Sequence, residues 1–432
     1  MNAETPNTES NENQDGNGIV MIQEEDVAEI IELNQNEINH SDEEMETNSN
    51  QNDNDDNEDD DQEMETNETE SEPIPGNFIG RFINHTSPIF HIATHPKLHN
   101  ICASGGGDDL GYIWDSENGN LIETLNGHLE SVSILKFSEN GHYLASASVD
   151  GNIKIWQSQD LVNYNRWSFL IDLEGSEEVT WISWHPKGSV LLAGFADGLS
   201  TMWSIPSGET MQVFNGHNSM ATCGQFTPDG KTIAVASEES RLIIFDPTTG
   251  SAIQRISLRE TKNRFRTPDG SYGINSLAIN PASTLCVLGG ISNGGVRIVN
   301  IRTGLIIAAL DNNHEGDATI EVAWYEPKKL GDGVPLIIST GTDGRICLYD
   351  AVSYRLRATM KHPEAITTMV LHIETGRLTT GSIDKTLISW DLRTGNEVQR
   401  HHGHHDMIHH VNLTCDEKRL ISASEDGTAC VF

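Results

Sequence analysis

The chain has 432 residues and a formal net charge of −38, and its acidic side chains are concentrated at one end. Residues 1–76 contain 26 Asp or Glu, no Lys or Arg, and no aromatic residue. A segment of this composition buries too little apolar surface to offset the entropy of ordering, and its like charges repel. The sequence therefore excludes a folded N-terminal domain and predicts a disordered acidic arm over residues 1–76.

One stretch of the arm departs from the polar pattern. In EEDVAEIIELNQ, residues 24–35, the apolar Val27, Ile30 and Ile31 recur at helical spacing. Two interpretations fit: a short docking helix, or a transiently helical piece of disordered chain, because an isolated helix of this length is marginal in water. The sequence leaves both open.

The remaining residues, 77–432, carry 39 acidic and 27 basic side chains, a net charge of −12. A folded body of this sign repels nucleic-acid phosphates and anionic lipid, and it attracts basic partners through a field that salt screens. We therefore expect a monomer that binds a basic protein or peptide and makes no direct contact with nucleic acid or membrane. The sequence has no signal peptide and no membrane-length apolar run, which predicts a soluble cytoplasmic protein, with a nuclear pool as the alternative.

Six cysteines are scattered through apolar, strand-like runs with no CxxC pair. This spacing predicts free, buried thiols in a reducing compartment. The six are Cys102, Cys223, Cys286, Cys347, Cys415 and Cys430.

A tight turn, usually acidic, followed six residues later by a large apolar or aromatic residue recurs eight times after residue 77. The first copy, GGGDDLGYIWD, places Asp108 before Trp114, and the last, SEDGTACVF, places Asp426 before Phe432. The turn residues between them are Asp150, Asp197, Glu239, Asn293, Asp343 and Asp384. The copies recur about every 45 residues, and each contains short strands with period-two alternation. The sequence therefore predicts eight all-β units.

Two further patterns fix the strands within these units. The segments IPSG, DPTTG, IRTG and LRTG follow third strands, where a left-handed Gly closes a tight turn into a fourth strand. The last unit ends with its third strand at Phe432, whereas GNFIGRFIN, residues 76–84, precedes the first unit. We expect a strand near Phe78–Ile83 to complete the last unit and to remove its free edge.

Gly-His dipeptides precede the first strand of three units, in NGH at 126–128, NGH at 215–217 and HGH at 402–404. With them the units resemble the WD-repeat family, which implies an eight-bladed WD40 β-propeller. The resemblance also implies a buried network of the His, the turn Asp, a Ser or Thr of the second strand, and the Trp. His128, Asp150 and Trp156 match this network most completely, and His217 and His404 occupy the equivalent His position.

Several units depart from the family pattern. The third and fifth units have no Gly-His, and Glu239 and Asn293 stand where the turn Asp is expected. We expect these blades to depend more on packing.

No motif in the chain indicates catalysis. The nearest approach to a nucleotide loop, GGGDDLG at 105–111, is followed by a strand and by no helix whose N-terminus could hold phosphate. GxSxG, HExxH and a Walker lysine are all absent. The sequence therefore predicts neither an enzyme nor a bound cofactor.

Two local clusters have open interpretations. HHGHHDMIHH at 401–410 holds six histidines, but a single Zn²⁺ site would have to use His401, His402 and His405, since His409 and His410 point to opposite faces of a strand. The alternative is a solvated or peptide-contacting loop. The basic insertion RETKNRFR, residues 259–266, is either a solvated loop or a contact for RNA or for the acidic arm.

Longer segments carry a closer resemblance. EDVAEIIEL, GGGDDLGYIW, ATCGQFTPDGK and above all WISWHPKGSVLLAGFADGLSTMW, residues 181–203, resemble the family of angio-associated migratory cell protein and its fungal ribosome-assembly relatives. The resemblance implies a dedicated chaperone that binds the basic N-terminal segment of newly made large-subunit ribosomal protein L10 on an acidic propeller face. The alternatives are a generic WD-repeat scaffold in signalling or ubiquitin-ligase complexes, and an acidic arm that shields basic proteins by itself.

The acids that we expect to bind the partner lie in the loops before first strands and between second and third strands, except for Glu321, which we expect at the start of an inner strand. Glu130, Glu321 and the pair Glu425 and Asp426 match the family segments. Turn aspartates have a competing structural role, namely hydrogen bonds to the backbone and to the repeat His. The full predicted set is Asp109, Glu130, Glu178, Glu238, Glu321, Asp343, Asp384, Glu425 and Asp426.

Overall fold

The computed structural model describes residues 76–258, 273–290, 295–311, 313–314, 319–328 and 333–432. All regular elements in these ranges are β-strands, and they form eight four-stranded antiparallel sheets. The sheets are the blades of a β-propeller, which confirms the predicted fold. The acidic arm with its 24–35 stretch, the basic insertion at 259–266 and Asn293 lie outside the described residues.

The first four blades follow one another along the chain. Blade 1 contains β2 (Ile89–Thr94), β3 (Ile101–Gly106), β4 (Gly111–Asp115) and β5 (Leu121–Leu125). Blade 2 contains β6 (Val132–Phe137), β7 (Tyr143–Ser148), β8 (Asn152–Ser158) and β9 (Trp167–Glu174). Blade 3 contains β10 (Val179–Trp184), β11 (Val190–Phe195), β12 (Ser200–Ser204) and β13 (Glu209–Phe214). Blade 4 contains β14 (Ala221–Phe226), β15 (Ile233–Ser237), β16 (Arg241–Phe245) and β17 (Ala252–Ser257).

The last four blades end with one that draws on both ends of the propeller sequence. Blade 5 contains β18 (Ile274–Ile279), β19 (Leu285–Gly290), β20 (Val296–Asn300) and β21 (Ile306–Leu310). Blade 6 contains β22 (Thr319–Tyr325), β23 (Leu336–Gly341), β24 (Arg345–Asp350) and β25 (Leu356–Lys361). Blade 7 contains β26 (Ile366–His372), β27 (Arg377–Ser382), β28 (Leu387–Asp391) and β29 (Glu397–His401). Blade 8 contains β30 (Ile408–Leu413), β31 (Leu420–Ser424), β32 (Ala429–Val431) and, from the start of the described chain, β1 (Gly80–Phe82).

The strand β1 closes the ring as predicted. Its residues pair antiparallel with β32, so that Gly80 lies opposite Val431 and Phe82 opposite Ala429. The Phe82 ring stacks on Trp114 of blade 1 at 4.8 Å between centroids. The chain therefore joins blade 8 to blade 1 through strand pairing and ring stacking.

Burial explains why the second strands read as apolar runs. Every residue of YLASAS in β7 and of ICASGG in β3 is buried, because each strand lies inside a sheet and both sheet faces pack against neighbouring blades. The outermost strand of blade 3, ETMQVF, is mostly exposed. Between blades 2 and 3 the core includes Ile155, Trp184 and Phe195.

Inner strands are also tied to the next blade by hydrogen bonds. The second residue of three inner strands is a threonine whose hydroxyl donates to the first residue of the following inner strand. Thr180 Oγ1 lies 2.6 Å from the Ala221 carbonyl and Thr367 Oγ1 lies 2.5 Å from the Ile408 carbonyl. Such bonds fix the first strand residues around the central channel.

The turns into fourth strands confirm the glycine prediction. The relevant glycines have φ values between +70° and +73°, in the left-handed region that favours glycine. They are Gly208, Gly250, Gly304 and Gly395.

The cysteines are all free, and the prediction that all are buried was wrong for Cys415, which is exposed, while Cys223 is half-buried. Cys415 lies in the turn between β30 and β31, outside the strands that bury the other thiols. Within the described part of the chain, no helix is long and apolar enough to cross a membrane.

Candidate functional site

The candidate site is the propeller face that we call the top surface. It is formed by the loops that lead into each inner strand and the loops that join second to third strands. Their described residues include 16 acidic side chains and one basic one, Lys385. The loops on the opposite, bottom surface carry nine acidic and ten basic side chains over the described ranges. Over the described residues, which do not include the basic insertion at 259–266 between β17 and β18, negative charge is therefore concentrated on one face.

Blade 2 contains the full WD network predicted from the sequence. His128 Nδ1 lies 3.3 Å from the Asp150 carboxylate and His128 Nε2 lies 2.9 Å from Ser146 Oγ. The Trp156 indole donates to the same Ser146 hydroxyl at 3.0 Å. Asp150 also accepts the Leu129 N–H at 2.9 Å, so the turn and the loop before the inner strand are held together.

The structure contains three further His–Asp pairs that the sequence pattern did not predict, because that pattern requires a glycine before the histidine. His85 lies 3.0 Å from Asp108, His314 lies 3.0 Å from Asp343, and His362 lies 3.3 Å from Asp384. None of these histidines follows a glycine. Sequence separation could have predicted the first and last of these pairs. In both, the histidine lies about 22 residues before the turn acid, which is the separation of His128 from Asp150.

In blade 8 the network involves His404, Asp426 and Ser422. His404 lies 3.0 Å from the Asp426 carboxylate and 2.7 Å from Ser422 Oγ. Burial by itself lowers the pKa of His404, but the hydrogen bonds with Asp426 and Cys430 outweigh it and raise this pKa to about 9. The same His404 contact holds the pKa of Asp426 far below its usual range against the effect of burial. This buried pair is therefore ionised at neutral pH.

The prediction that His217 belongs to such a network was wrong. His217 is buried and neither ring nitrogen has a hydrogen-bond partner. Val235 occupies the position of the second-strand serine, and the longer Glu239 accepts the Asn218 N–H and pairs with Arg241 instead. Burial lowers the pKa of His217 to about 4, so the ring is neutral.

These networks correct three of the predicted partner contacts. Asp343, Asp384 and Asp426 are largely buried, with 5%, 15% and 9% of each side chain exposed, and each faces a repeat histidine. Their carboxylates are committed to the structure of the blades. The alternative role that the sequence left open for turn aspartates is the one that the geometry supports.

Other predicted acids are available on the top surface. Glu130, Glu178, Glu238 and Glu425 are exposed, and Asp109 is half-exposed with a left-handed φ of +62°. Glu425 already pairs with His409 at 2.6 Å. Four more top-surface acids are exposed but are not in the set predicted from the sequence. They are Glu177, Asp197, Glu364 and Asp406.

Glu321 differs from the loop acids because it lies on an inner strand and lines the central channel, a cavity of about 690 Å³. Its Oε2 accepts the Met369 N–H of the next blade at 2.7 Å. Burial raises the pKa of Glu321 to about 7, although the Met369 hydrogen bond lowers it. Glu321 therefore has a structural contact that no sequence pattern indicated.

The histidines at 401–410 do not converge on one point. His401 is buried near the Ser389 hydroxyl, His409 contacts Glu425, and His410 stacks on His91 in the channel at 3.9 Å between ring centroids. The residues with described positions contain no group of three or more His, Cys, Asp or Glu that could hold a metal ion. The cluster is divided among structural and surface contacts.

Comparison with known proteins connects this architecture to a family. The WD domain, G-beta repeat model matches residues 119–157, 167–204, 208–246 and 395–432. Angio-associated migratory cell protein of Canis lupus familiaris is 30% identical over 361 residues, which cover 81% of this chain and 78% of the relative. The chain belongs to the WD-repeat family of angio-associated migratory cell protein. The family resemblance read from the sequence is confirmed.

One fungal relative is named for ribosome assembly. The ribosome assembly protein SQT1 of Saccharomyces cerevisiae is 25% identical over 383 residues, covering 82% of this chain and 86% of the relative. The crystal structure of Chaetomium thermophilum Sqt1 bound to the N-terminus of the ribosomal protein L10 has a TM-score of 0.72 at 22% identity, covering 83% of this chain and all of that one. This structural likeness shows that the two proteins share a fold.

Proposed function

We propose that this protein is a chaperone that binds the basic N-terminal segment of newly made ribosomal protein L10 on its top surface. The observation that carries the proposal is the ratio of 16 acids to one base in the described top-surface loops. The sequence relationship to a ribosome assembly protein, and the L10-bound structure of a neighbour with the same fold, support this choice of partner. The proposal places the protein in the cytoplasm as a monomer with a binding function rather than a catalytic one.

The chemistry of the top surface suits Lys and Arg side chains. Charge-assisted hydrogen bonds from a basic peptide to exposed carboxylates are individually modest, yet several can form at once around the ring. The field of the whole face would speed encounter with such a peptide and would weaken as salt is added. Glu130 on a loop and Glu321 at the channel are the residues that we propose as principal contacts.

Calorimetry with a peptide comprising the L10 N-terminal segment tests the proposal. Glu321→Gln is preferred to Glu321→Lys because an amide oxygen can still accept the Met369 N–H, whereas a lysine cannot. We expect the double variant Glu130→Gln, Glu321→Gln to bind about tenfold more weakly, with a smaller salt dependence. Glu326→Gln, at an exposed residue of a bottom-surface loop, is the matched control and should bind like the wild type.

Two outcomes would count against the proposal. Equal affinity of the wild type and the double variant would remove the top surface as the binding site. A chain lacking residues 1–75 should also keep its affinity, and a large loss there would favour the acidic arm as the binding element instead. Salt-insensitive binding of several non-basic partners would favour a generic scaffold.

A further inference from the structure

Two exposed apolar residues, Leu129 and Val149, lie at the top of blade 2, whereas the tops of blades 1 and 7 each have one exposed isoleucine, Ile83 and Ile383. Leu129 follows the repeat histidine and is 79% exposed, and Val149 precedes the turn aspartate and is 39% exposed. Both lie beside the exposed Glu130. At the Leu129 position, blades 1, 4, 7 and 8 have Thr86, Asn218, Pro363 and His405.

The backbone at this place is firmly held. Asp150 accepts the Leu129 N–H at 2.9 Å, and the Val149 N–H donates to the Ser131 carbonyl at 3.2 Å. The Ser148 hydroxyl donates to the Glu130 carbonyl at 2.9 Å. The loop and the turn are thus joined by three hydrogen bonds, so that little backbone ordering is needed when a ligand covers the two apolar side chains.

We infer that Leu129 and Val149 form an apolar contact for an aliphatic or aromatic side chain of the basic peptide, next to the carboxylate of Glu130. The inference rests on the proposed function and adds a requirement on the partner: the segment must carry an apolar residue beside its Lys or Arg residues. A surface with carboxylates alone would accept any polycation. An apolar contact beside Glu130 favours peptides that carry an apolar residue next to their basic residues, so the site selects for peptide sequence as well as for charge.

Two properties of the unbound protein support this assignment: the negative charge of the top surface and the exposure of Leu129. Acids elsewhere on the top surface account for attraction over a distance, but they do not require a leucine that is 79% exposed. Covering such a side chain with an apolar group of the ligand gains affinity that salt does not screen. The apolar contact and the carboxylates therefore have separable signatures in a salt titration.

Calorimetry on the full chain with two peptides tests the inference. The first is the L10 N-terminal peptide and the second is an arginine homopolymer of equal length, which has charge without an apolar side chain. We expect Leu129→Ser to weaken binding of the L10 peptide about tenfold at both low and high salt. The same variant should bind the arginine homopolymer as the wild type does.

Glu130→Gln is the matched variant for charge, since it changes the neighbouring residue without changing its size. It should weaken binding of both peptides, and more strongly at low salt than at high salt. If Leu129→Ser binds the L10 peptide like the wild type while Glu130→Gln weakens it, the apolar contact is disproved and the proposed function stands. If the wild type binds neither peptide, the proposed function fails and the inference fails with it.

The variant Leu129→Met distinguishes loss of the apolar contact from a general disturbance of the loop. Methionine retains the apolar surface and should retain affinity for the L10 peptide, whereas a general disturbance of the loop would weaken both variants equally. Equal thermal unfolding of the three proteins is expected, because Leu129 is not part of the core.

Discussion

Blade 8 and blade 4 both begin with a Gly-His dipeptide, yet their histidines have different surroundings. His404 contacts Asp426 and Ser422, whereas His217 is buried without a hydrogen-bond partner. Blade 4 is one continuous stretch of chain, but blade 8 takes its fourth strand from the other end of the propeller sequence. Blade 2 is also one continuous stretch of chain and has the full network. The comparison therefore teaches that the network depends on a turn aspartate and a second-strand hydroxyl, and not on whether the blade is continuous.

The largest expected effect comes from removing the closing strand. A chain lacking residues 1–75 keeps Asn77, which bonds the His402 backbone at 3.0 Å and 2.8 Å, and keeps β1. We expect it to unfold at the same temperature as the full chain. A chain lacking residues 1–82 leaves the outer edge of β32 unpaired and should show no cooperative unfolding transition. Equal melting curves for the two truncations would disprove the role of β1.

Replacing the two histidines sharpens the comparison directly. His404→Leu removes the charged partner of the Asp426 carboxylate, which keeps only its hydrogen bonds from the His405 N–H and from Thr428. This should lower the free energy of unfolding by about 3 kcal/mol, the lower end for a broken buried ion pair. His217→Leu removes a buried polar group that has no partner and should leave stability unchanged or raise it by up to ~1 kcal/mol. Denaturant unfolding of the two variants measures both effects. Similar losses in both would show that His217 is satisfied in solution.

The pH dependence of the two networks in blades 8 and 2 should also differ. The pKa of His404 is raised in the folded protein, so its contribution is complete below its ordinary value of 6.5 and is lost as pH rises through about 9. The destabilisation caused by Asp426→Asn should therefore shrink between pH 6.5 and 9. Burial lowers the pKa of His128 in blade 2, so Asp150→Asn should cause a loss that does not shrink over this interval. Thermal unfolding across the pH range distinguishes the two.

The smallest expected effect concerns single acids at the tops of the two blades. Glu425 of blade 8 is paired with His409 at 2.6 Å, whereas Glu238 of blade 4 is exposed. A basic peptide must compete with His409 for Glu425. We expect Glu238→Gln to weaken binding of the L10 peptide by about 0.2–1 kcal/mol and Glu425→Gln to weaken it by less. A larger effect of Glu425→Gln in calorimetry would place the peptide over blade 8.

Part of the candidate site could be predicted from the sequence, and part could not. The loop acids Glu130 and Glu178 were identified because loops before inner strands share one face of a propeller. The contact between Glu321 and the Met369 N–H joins residues 48 positions apart in different blades. No local pattern indicates that contact, since it depends on the spacing of two inner strands across the channel. The sequence placed Asp343 and Asp426 on the correct face, but both carboxylates contact a repeat histidine and are largely buried.

The sequence by itself determined the number of blades, the closing strand near Phe78–Ile83 and the left-handed glycine turns, because repeat period and turn chemistry are local properties of the chain. It also determined that the propeller is acidic. Only the tertiary structure decided which carboxylates are free, since that depends on whether a histidine and a hydroxyl from distant parts of the same blade reach the turn. His217 and His404 each follow a glycine in the sequence. Their roles differ because the second-strand residue at the facing position is Val235 in blade 4 and Ser422 in blade 8.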